Sequence, residues 1–273
     1  MISLLTDKDR DKVIEYLKSD GIAGAFIMSN LLAFGLTNRP DQRRCGDYYG
    51  YFSGDHLIGI LPFYNMGSCI PFFKKEEVIE PFAEIMIQRH FEALIGVKKF
   101  VQPLYHAIEG QKKAAAYQDS CYLVNHKLEP FCLENIRFAG PEELDTDRVL
   151  DFVTDAYWQG FHYRYTREEV KKFVEQRTRE EELLFLLTAG GEIVAQAYIQ
   201  AVTGEINQIG GVYTAEKERG KGYCKALMSR LCENIIWRGK VPSLIVRKDN
   251  ISAIRAYASL GFTCFDDYLL IKF

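Results

Sequence analysis

The second half of the chain alternates between apolar positions at helical spacing and apolar positions at strand spacing. Val149, Leu150 and Val153 recur at helical spacing, which predicts a helix that opens at residues 141–142. The Thr-x-x-Glu sequence at 166–169 has the form of a capping box and predicts the start of a second helix. Gly190 and Gly191 separate two apolar runs and predict a hairpin turn. The other elements predicted are strands over residues 133–138, 183–187, 193–202, 206–213, 244–246 and 268–273, and helices over 222–237 and 251–260.

The first half repeats part of this pattern at a fixed offset of 136 residues. The strand–turn–strand sequence at 52–59 matches the one at 188–195, and the helical triplet of Val13, Ile14 and Leu17 matches Val149, Leu150 and Val153. The shared register of these matches, at half the length of the chain, indicates a duplicated fold. We therefore predict two halves, residues 1–129 and 130–273, with a boundary near 127–130 that has no flexible linker composition.

Composition and charge exclude several classes of protein and indicate the cellular compartment. The 273 residues include 34 Lys and Arg against 37 Asp and Glu, so the net charge of −3 gives no electrostatic basis for nonspecific nucleic-acid binding. The longest apolar stretch, residues 22–36, is too short to span a bilayer and contains two polar residues, and the N-terminus has no signal-peptide pattern. Seven cysteines without a Cys-x-x-Cys pair and five scattered histidines indicate reduced thiols and no metal site. We expect a cytoplasmic protein without membrane or nucleic-acid partners.

A loop between a predicted strand and a predicted helix carries the most specific chemistry. Gly220 and Gly222 leave the backbone open to a close approach by an anion, and the helix that follows presents unpaired N–H groups. The basic residues of this region are Lys217, Arg219, Lys221 and Lys225. The pattern predicts a phosphate-binding loop, and the alternative is a glycine-containing turn with solvated basic side chains.

Two segments around this loop resemble the motifs of one enzyme family. The sequence IGGVYT at 209–214, followed by ERGKGY at 218–223, resembles motif A of the GNAT N-acetyltransferase superfamily, and Asn-x-x-Ala-x-x-x-Tyr-x-x-x-Gly-Phe at 250–262 resembles its motif B. The resemblance covers about residues 130–273. Lys217 departs from the family pattern, which has Gln or Arg there, and a lysine lacks the bidentate fork of arginine.

The resemblance implies a fold and a coenzyme site. The fold class is α/β (α+β), with two GNAT-like halves that each contain a mixed, mostly antiparallel twisted sheet flanked by helices. The backbone of residues 219–223 would hold the pyrophosphate of acetyl-CoA, the backbone of Val212 and Thr214 would pair with its pantetheine arm, and Gly210 would face the thioester. The residues of the implied coenzyme site are Gly210, Val212, Tyr213, Thr214, Lys217, Glu218, Arg219, Gly220, Lys221, Gly222, Tyr223, Asn250, Ala253 and Tyr257.

The same resemblance implies direct transfer of the acyl group to an amine. Tyr257 would protonate the departing thiolate, with core packing as the alternative role, and Asn250 would either bind the arm or cap its helix. An amine must lose a proton before it attacks, and the candidate bases are Glu205 and His162, with a water chain as a third route. The aromatic segment at 157–165 is either a wall of the substrate site or a plug that joins the two halves.

The first half lacks the loop. No glycine occurs between Gly67 and Gly96, where the repeat offset would place it, and residues 71–75 read Pro-Phe-Phe-Lys-Lys. We therefore interpret the first half as a degenerate GNAT-like copy that does not bind coenzyme and that could shape the acceptor pocket.

The resulting expectation is an acetyl-CoA-dependent N-acetyltransferase that acts on a small-molecule amine or an amino-acid-like metabolite. Two alternatives are a coenzyme A-binding regulatory protein without turnover and a transferase that uses aminoacyl-tRNA. The charge balance gives little support to the tRNA alternative. The sequence leaves the oligomeric state open, and a homodimer is one possibility.

Overall fold

The computed structural model describes residues 1–160, 163–178 and 183–273. Contacts within the chain divide it into two compact units. Unit 1 contains Met1–Tyr122, Ile245–Asp249 and Cys264–Phe273, and unit 2 contains Leu123–Leu244 and Asn250–Thr263.

Two successive runs of helices and strands have the same order. The first run is β1 (Ile2–Leu4), α1 (Arg10–Lys18), α2 (Ala25–Phe34), β2 (Gly46–Ser53), β3 (His56–Tyr64), β4 (Ser68–Cys69), β5 (Phe72–Phe73), α3 (Ile79–Gln88), β6 (Ala93–Val97), α4 (Lys98–Ile108) and β7 (Ala116–Val124). The second run is β8 (Ile136–Ala139), α5 (Thr146–Asp155), α6 (Arg167–Gln176), β9 (Leu184–Ala189), β10 (Glu192–Val202), β11 (Ile206–Thr214), α7 (Tyr223–Trp237), β12 (Val241–Arg247), α8 (Ile251–Ala258) and β13 (Thr263–Lys272). With β4 and β5 taken together, both runs read β-α-α-β-β-β-α-β-α-β, as the sequence pattern predicted for the second.

Each unit has a mixed sheet in which antiparallel pairs dominate. In unit 1 the strand order is β1-β2-β3-β4-β6-β13-β7, with β5 paired to β3, and the β4–β6 pair is parallel. In unit 2 the order is β12-β11-β10-β9-β8, and the β11–β12 pair is parallel. The predicted fold class, with helices flanking mixed and mostly antiparallel sheets in both halves, is confirmed.

The helices of unit 2 pack through the stripes that the sequence pattern indicated. Val149, Leu150 and Val153 of α5 are buried against Val170 and Val174 of α6 and against β9. The Thr166 capping box forms as predicted, because the Thr166 hydroxyl accepts from the Glu169 N–H at 3.2 Å while the Glu169 carboxylate accepts from the Thr166 N–H at 2.8 Å. These contacts place the α5–α6 pair on the sheet of unit 2.

Several predicted boundaries are wrong. Residues 141–143 form a separate 3-10 turn, Leu144 is extended, and α5 begins only at Thr146, because the Asp145 side chain caps it by accepting from the Arg148 N–H at 3.0 Å. Strand β12 is longer than predicted at both ends, α8 ends at Ala258, and β13 begins at Thr263 rather than at residue 268. Polar residues such as Asp266 and Asp267 hid the start of β13 from an apolar pattern.

The last strand of the chain belongs to unit 1. β13 pairs antiparallel with β6, with Ile271 opposite Leu94, and both side chains are fully buried. Unit 1 is therefore completed by residues far from it in sequence. The predicted limits at 1–129 and 130–273 describe the two halves of a duplicated sequence, and they stay a prediction. The compact units are different, because each consists of more than one segment of the chain.

The described residues contain no helix that combines the length and the apolar character needed to cross a membrane.

We expect Ile271→Ala to lower the free energy of unfolding by about 2–5 kcal/mol, because it removes a buried side chain from the core of unit 1 and leaves a cavity. The measurement is urea unfolding followed by circular dichroism. Thr263→Ala, which changes an exposed residue at the start of the same strand, is the control and should change stability by less than about 0.5 kcal/mol. Equal effects of the two substitutions would contradict the placement of β13 in the core.

Candidate active site

Strand β11 has one open edge over its second half. Its parallel pairing with β12 begins at Ile206↔Val241 and ends at Ile209↔Leu244. Residues 210–214 continue to pair with β10 on the other edge, but no strand among the described residues pairs with them on the β12 side. An open edge presents backbone N–H and C=O groups that can bind an extended ligand as if it were another strand.

A β-bulge marks the start of the open edge. The register of β10 and β11 shifts between Tyr198↔Gly210 and Gln196↔Tyr213, and Gly211 lies in the bulge with a φ of 59°. The Gln196 side-chain amide donates to the Gly211 carbonyl at 3.3 Å. A Cβ at Gly211 would stand 1.9 Å from the Tyr198 ring, so glycine is required both by the backbone angle and by the close approach.

The loop after β11 has the backbone of an anion site. Gly220 and Gly222 have φ angles of 79° and 85°, and Gly222 is the N-cap of α7. The N–H groups of residues 220–225 donate to no acceptor in the described part of the chain. A Cβ at Gly220 would meet open space, so the loop also leaves room for a ligand. Unpaired N–H groups at the positive end of a fifteen-residue helix favour a bound anion.

The back of the loop is packed against the chain that precedes β8. A Cβ on Gly222 would lie 3.2 Å from the Phe131 ring and 3.5 Å from Leu133. The Phe131 N–H donates to the Ser229 hydroxyl of α7 at 2.9 Å, which holds this segment on the helix. Gly222 therefore has a packed side and cannot carry a larger residue without displacing Phe131 or the loop.

The charged side chains of the loop take different roles. Lys221 pairs with Glu218 at 2.9 Å, so the predicted site includes one neutralised pair. The Arg219 side chain turns back along β11 and donates to the Thr214 carbonyl at 3.3 Å. The Lys225 ammonium lies 4.1 Å from the centre of the Phe131 ring, and Lys217 is exposed. The Arg219 and Lys225 side chains are thus held by Thr214 and Phe131, while the Lys217 side chain is exposed to solvent.

Tyr257 lies in α8 with its side chain almost fully buried. Its ring packs on Phe262 with the centroids 5.8 Å apart, and its neighbours on α7 include Cys224, in the first turn after the loop, and Cys232. Burial, and then the nearby thiols, raise the pKa of Tyr257 well above its usual value. The hydroxyl makes no hydrogen bond to the described residues. The phenol is protonated at neutral pH, as tyrosine ordinarily is, and no acceptor among the described residues binds its proton.

Tyr213 links the open strand to helix α5. Its hydroxyl donates to the Asp155 carboxylate at 3.0 Å, and its ring packs edge-on against Phe152. Burial, followed by the bond to Asp155, raises the pKa of Tyr213 to about 12. The side chain of Tyr213 thus connects strand β11 to helix α5, a contact that the sequence pattern did not reveal.

The remaining predicted residues are spread around the domain. The Asn250 side chain caps α8 by accepting from the Ala253 N–H at 3.2 Å, which is the capping role considered for it. Glu205 is exposed in the turn before β11, about 16 Å along the strand from Gly210 at ~3.3 Å per residue, and its side chain does not reach the open edge. His162 lies outside the described residues. The structure does not bring Glu205 to the other predicted site residues.

The equivalent region of unit 1 is filled. β4 pairs with β6 over only two residues, and the chain then turns back as β5, whose Phe72 and Phe73 are buried in the core. Glu76 and Glu77 precede α3 at the position where the glycine loop precedes α7 in unit 2. Carboxylates at a helix N-terminus occupy the electrostatic position that a phosphate would take. That the first half binds no nucleotide stays a prediction.

Comparison with known proteins assigns the region that carries the loop. Residues 150–262 match the model of the acetyltransferase (GNAT) family. This segment is a GNAT acetyltransferase domain. It contains the open half of β11, the glycine loop and Tyr257, and membership in the family assigns acyl transfer as its general chemistry.

Solved structures extend the fold to both units. A GNAT-family acetyltransferase from Colwellia psychrerythraea is 16% identical, with 100% of this chain and 99% of that chain covered and a TM-score of 0.61. A GCN5-related N-acetyltransferase from Sphaerobacter thermophilus is 14% identical, with coverage of 100% and 95% and a TM-score of 0.65. A tandem GNAT protein from the clavulanic acid biosynthesis pathway is 12% identical, with coverage of 99% and 97% and a TM-score of 0.59. At these identities the likeness shows the fold alone. A search of curated proteins finds no match to the chain.

We expect Gly211→Ala to destabilise the GNAT domain more than Gly190→Ala does. The two glycines have nearly equal φ angles of 59° and 58°, so the backbone strain of about 1–2 kcal/mol is shared, but only the Gly211 position would collide with a ring, that of Tyr198. Urea unfolding of both variants provides the comparison. Equal losses of unfolding free energy would show that Tyr198 moves aside at no cost and that the bulge tolerates a side chain.

Proposed function

We propose that the GNAT domain moves an acetyl group from acetyl-CoA directly to the amine of a small metabolite or amino-acid-like acceptor. The observation that carries this proposal is the open edge of β11 over residues 210–214, followed along the chain by the unpaired N–H groups of residues 220–225 at the start of α7. An extended arm that ends in a pyrophosphate has the two features that this run would bind, a strand-like chain and a doubly charged anion.

Successive segments of the domain would bind successive parts of the coenzyme. Gly210, Val212 and Thr214 would hold the pantetheine arm along the open edge, and the backbone of residues 219–223 would hold the pyrophosphate. Gly220 fits because a Cβ there meets only open space, and Arg219 and Lys225 supply positive charge. Bound acetyl-CoA supplies an acyl group that is already activated as a thioester.

Tyr257 is proposed as the proton donor. Its phenol has no competing hydrogen bond among the described residues and lies beside the first turn of α7, next to the loop. A tyrosine phenol is protonated at neutral pH, so it can donate to the departing thiolate. The base that takes the proton of the acceptor amine is either His162 or a water chain. Glu205 is not proposed, because it lies at the end of β11 away from the open edge.

We expect Gly222→Asp to weaken coenzyme A binding at least tenfold, because its side chain would displace Phe131 or the loop and would add a negative charge at the start of α7, beside the anion position. Isothermal titration calorimetry with coenzyme A is the measurement. Gly239→Asp is a matched control, because Gly239 also has a positive φ, 73°, and flanks the same helix at its other end. Gly222→Ala, which keeps the strain and the Phe131 contact but adds no charge, should lose less affinity. Unchanged affinity in Gly222→Asp would end the assignment of the loop.

We expect Tyr257→Phe to retain the fold and to bind acetyl-CoA within a few-fold of the wild type, yet to lose at least tenfold in kcat on a verified acceptor. The substitution keeps the ring that packs on Phe262 and removes only the proton donor, whose catalysis is typically worth about 10²–10⁴-fold. Thiol release is followed at saturating acetyl-CoA, with urea unfolding as the check on folding. A variant with wild-type kcat while chemistry limits the rate would identify Tyr257 as a packing residue.

A further inference from the structure

A cleft of about 550 Å³ lies beside the open strand, against helices α5 and α6. Three aromatic residues, Trp158, Tyr163 and Tyr165, line it together with Asp155 and Arg164. This volume is in the range of small-molecule sites, which combine apolar walls with a few polar groups that fix orientation. The charged groups of the cleft therefore indicate which molecule it accepts.

One basic residue of the cleft is already paired. The Arg167 guanidinium binds Asp147 at 2.6 Å and also binds Asp151. Both carboxylates lie on the outward face of α5, one turn apart. Two carboxylates on one guanidinium leave this network with a net charge of about −1, so Arg167 offers no site for an anionic ligand.

Arg164 differs from Arg167 in having no carboxylate partner in the described part of the chain. Its guanidinium lies over the Trp158 ring, 4.3 Å from the centroid. Stacking fixes the plane of a guanidinium while leaving its N–H groups at the rim, where they can bind a carboxylate in a bidentate manner. Arg164 is thus a preoriented anion ligand inside an aromatic cleft.

Asp155 supplies the opposite charge. It is the last residue of α5, and one carboxylate oxygen accepts from the Tyr213 hydroxyl at 3.0 Å. The other oxygen has no donor among the described residues. Because Tyr213 follows Val212 on the open half of β11, this bond fixes Asp155 beside the strand proposed to hold the acyl thioester. A cationic group bound to Asp155 would lie on the side of the cleft nearest that strand.

From this arrangement we infer that the acceptor is an amino acid or a compound with the same pair of groups, whose carboxylate binds Arg164 and whose ammonium binds Asp155. The inference rests on the proposed acyl transfer and specifies its acceptor class. Arg164 and Asp155 are binding residues that determine specificity, and the aromatic side chains contact the remainder of the acceptor. A plain amine offers nothing to Arg164 and should be used less well.

The test compares amino acids with the amines that lack their carboxylate, such as phenylalanine with phenethylamine, leucine with isopentylamine and lysine with pentane-1,5-diamine. Thiol release from acetyl-CoA is measured for each compound. We expect at least one pair in which the amino acid has a KM at least tenfold below that of its amine. Arg164→Gln should abolish this preference by raising KM for the amino acid alone, with Arg164→Lys restoring part of it, and Asp155→Asn should raise KM for both members of the pair.

The control variant is Arg148→Gln, which removes an exposed arginine of α5 that pairs with Glu192 and the Gly191 carbonyl outside the cleft. It should leave both KM values unchanged. A preference for the plain amines, or equal effects of Arg164→Gln on both members, would overturn the inference while leaving acyl transfer intact. If no compound releases thiol, the proposed function has failed, and calorimetric titration of the same pairs into the coenzyme A-loaded protein tests the acceptor class separately. Amino-acid binding that is lost in Arg164→Gln would support the acceptor class. Binding that is unchanged in Arg164→Gln, or no binding, would overturn the acceptor class as well.

Discussion

The site depends on the point at which β11 and β12 stop pairing. Four residues of β11 pair with β12 and the next five do not, so the parallel strand pair of the unit 2 sheet separates and leaves an open edge. The Gly211 bulge lies at the start of this edge, and the glycine loop follows directly at its end. One local loss of hydrogen bonds thus produces both an extended binding edge and its continuation into a helix N-terminus.

Comparison of the two halves of the chain shows how unit 1 differs in the region of this open edge. Both have the same order of elements, and in both the fourth strand pairs only briefly with its parallel neighbour. In unit 1 the chain then turns inward as β5, so that aromatic residues fill the region and acidic residues precede the helix. In unit 2 glycines keep the same region open. The difference is one of side chains and backbone angles within a shared topology.

Features with strong local signals could be predicted from the sequence. The Thr166 capping box, the Gly190-Gly191 hairpin and the loop at Gly220 and Gly222 each depend on a few adjacent residues, and the structure contains all three. Features that depend on distant partners could not be predicted. The insertion of β13 beside β6 and the Tyr213–Asp155 bond, across 58 positions, join residues whose proximity exists only in the folded chain. The bulge at Gly211 was hidden because its glycine read as part of a binding motif.

Hydrogen exchange of the backbone amides, with and without coenzyme A, tests the central claim most directly. If the open edge and the loop bind the coenzyme, amides within residues 210–214 and 220–225 exchange more slowly in its presence, while those of unit 1 between Phe72 and Glu80 do not change. These amides are unpaired or at an open edge in the structure, so their protection would come from the ligand. Protection confined to residues 72–80, or no protection at 210–225 despite saturating coenzyme A, would contradict the account.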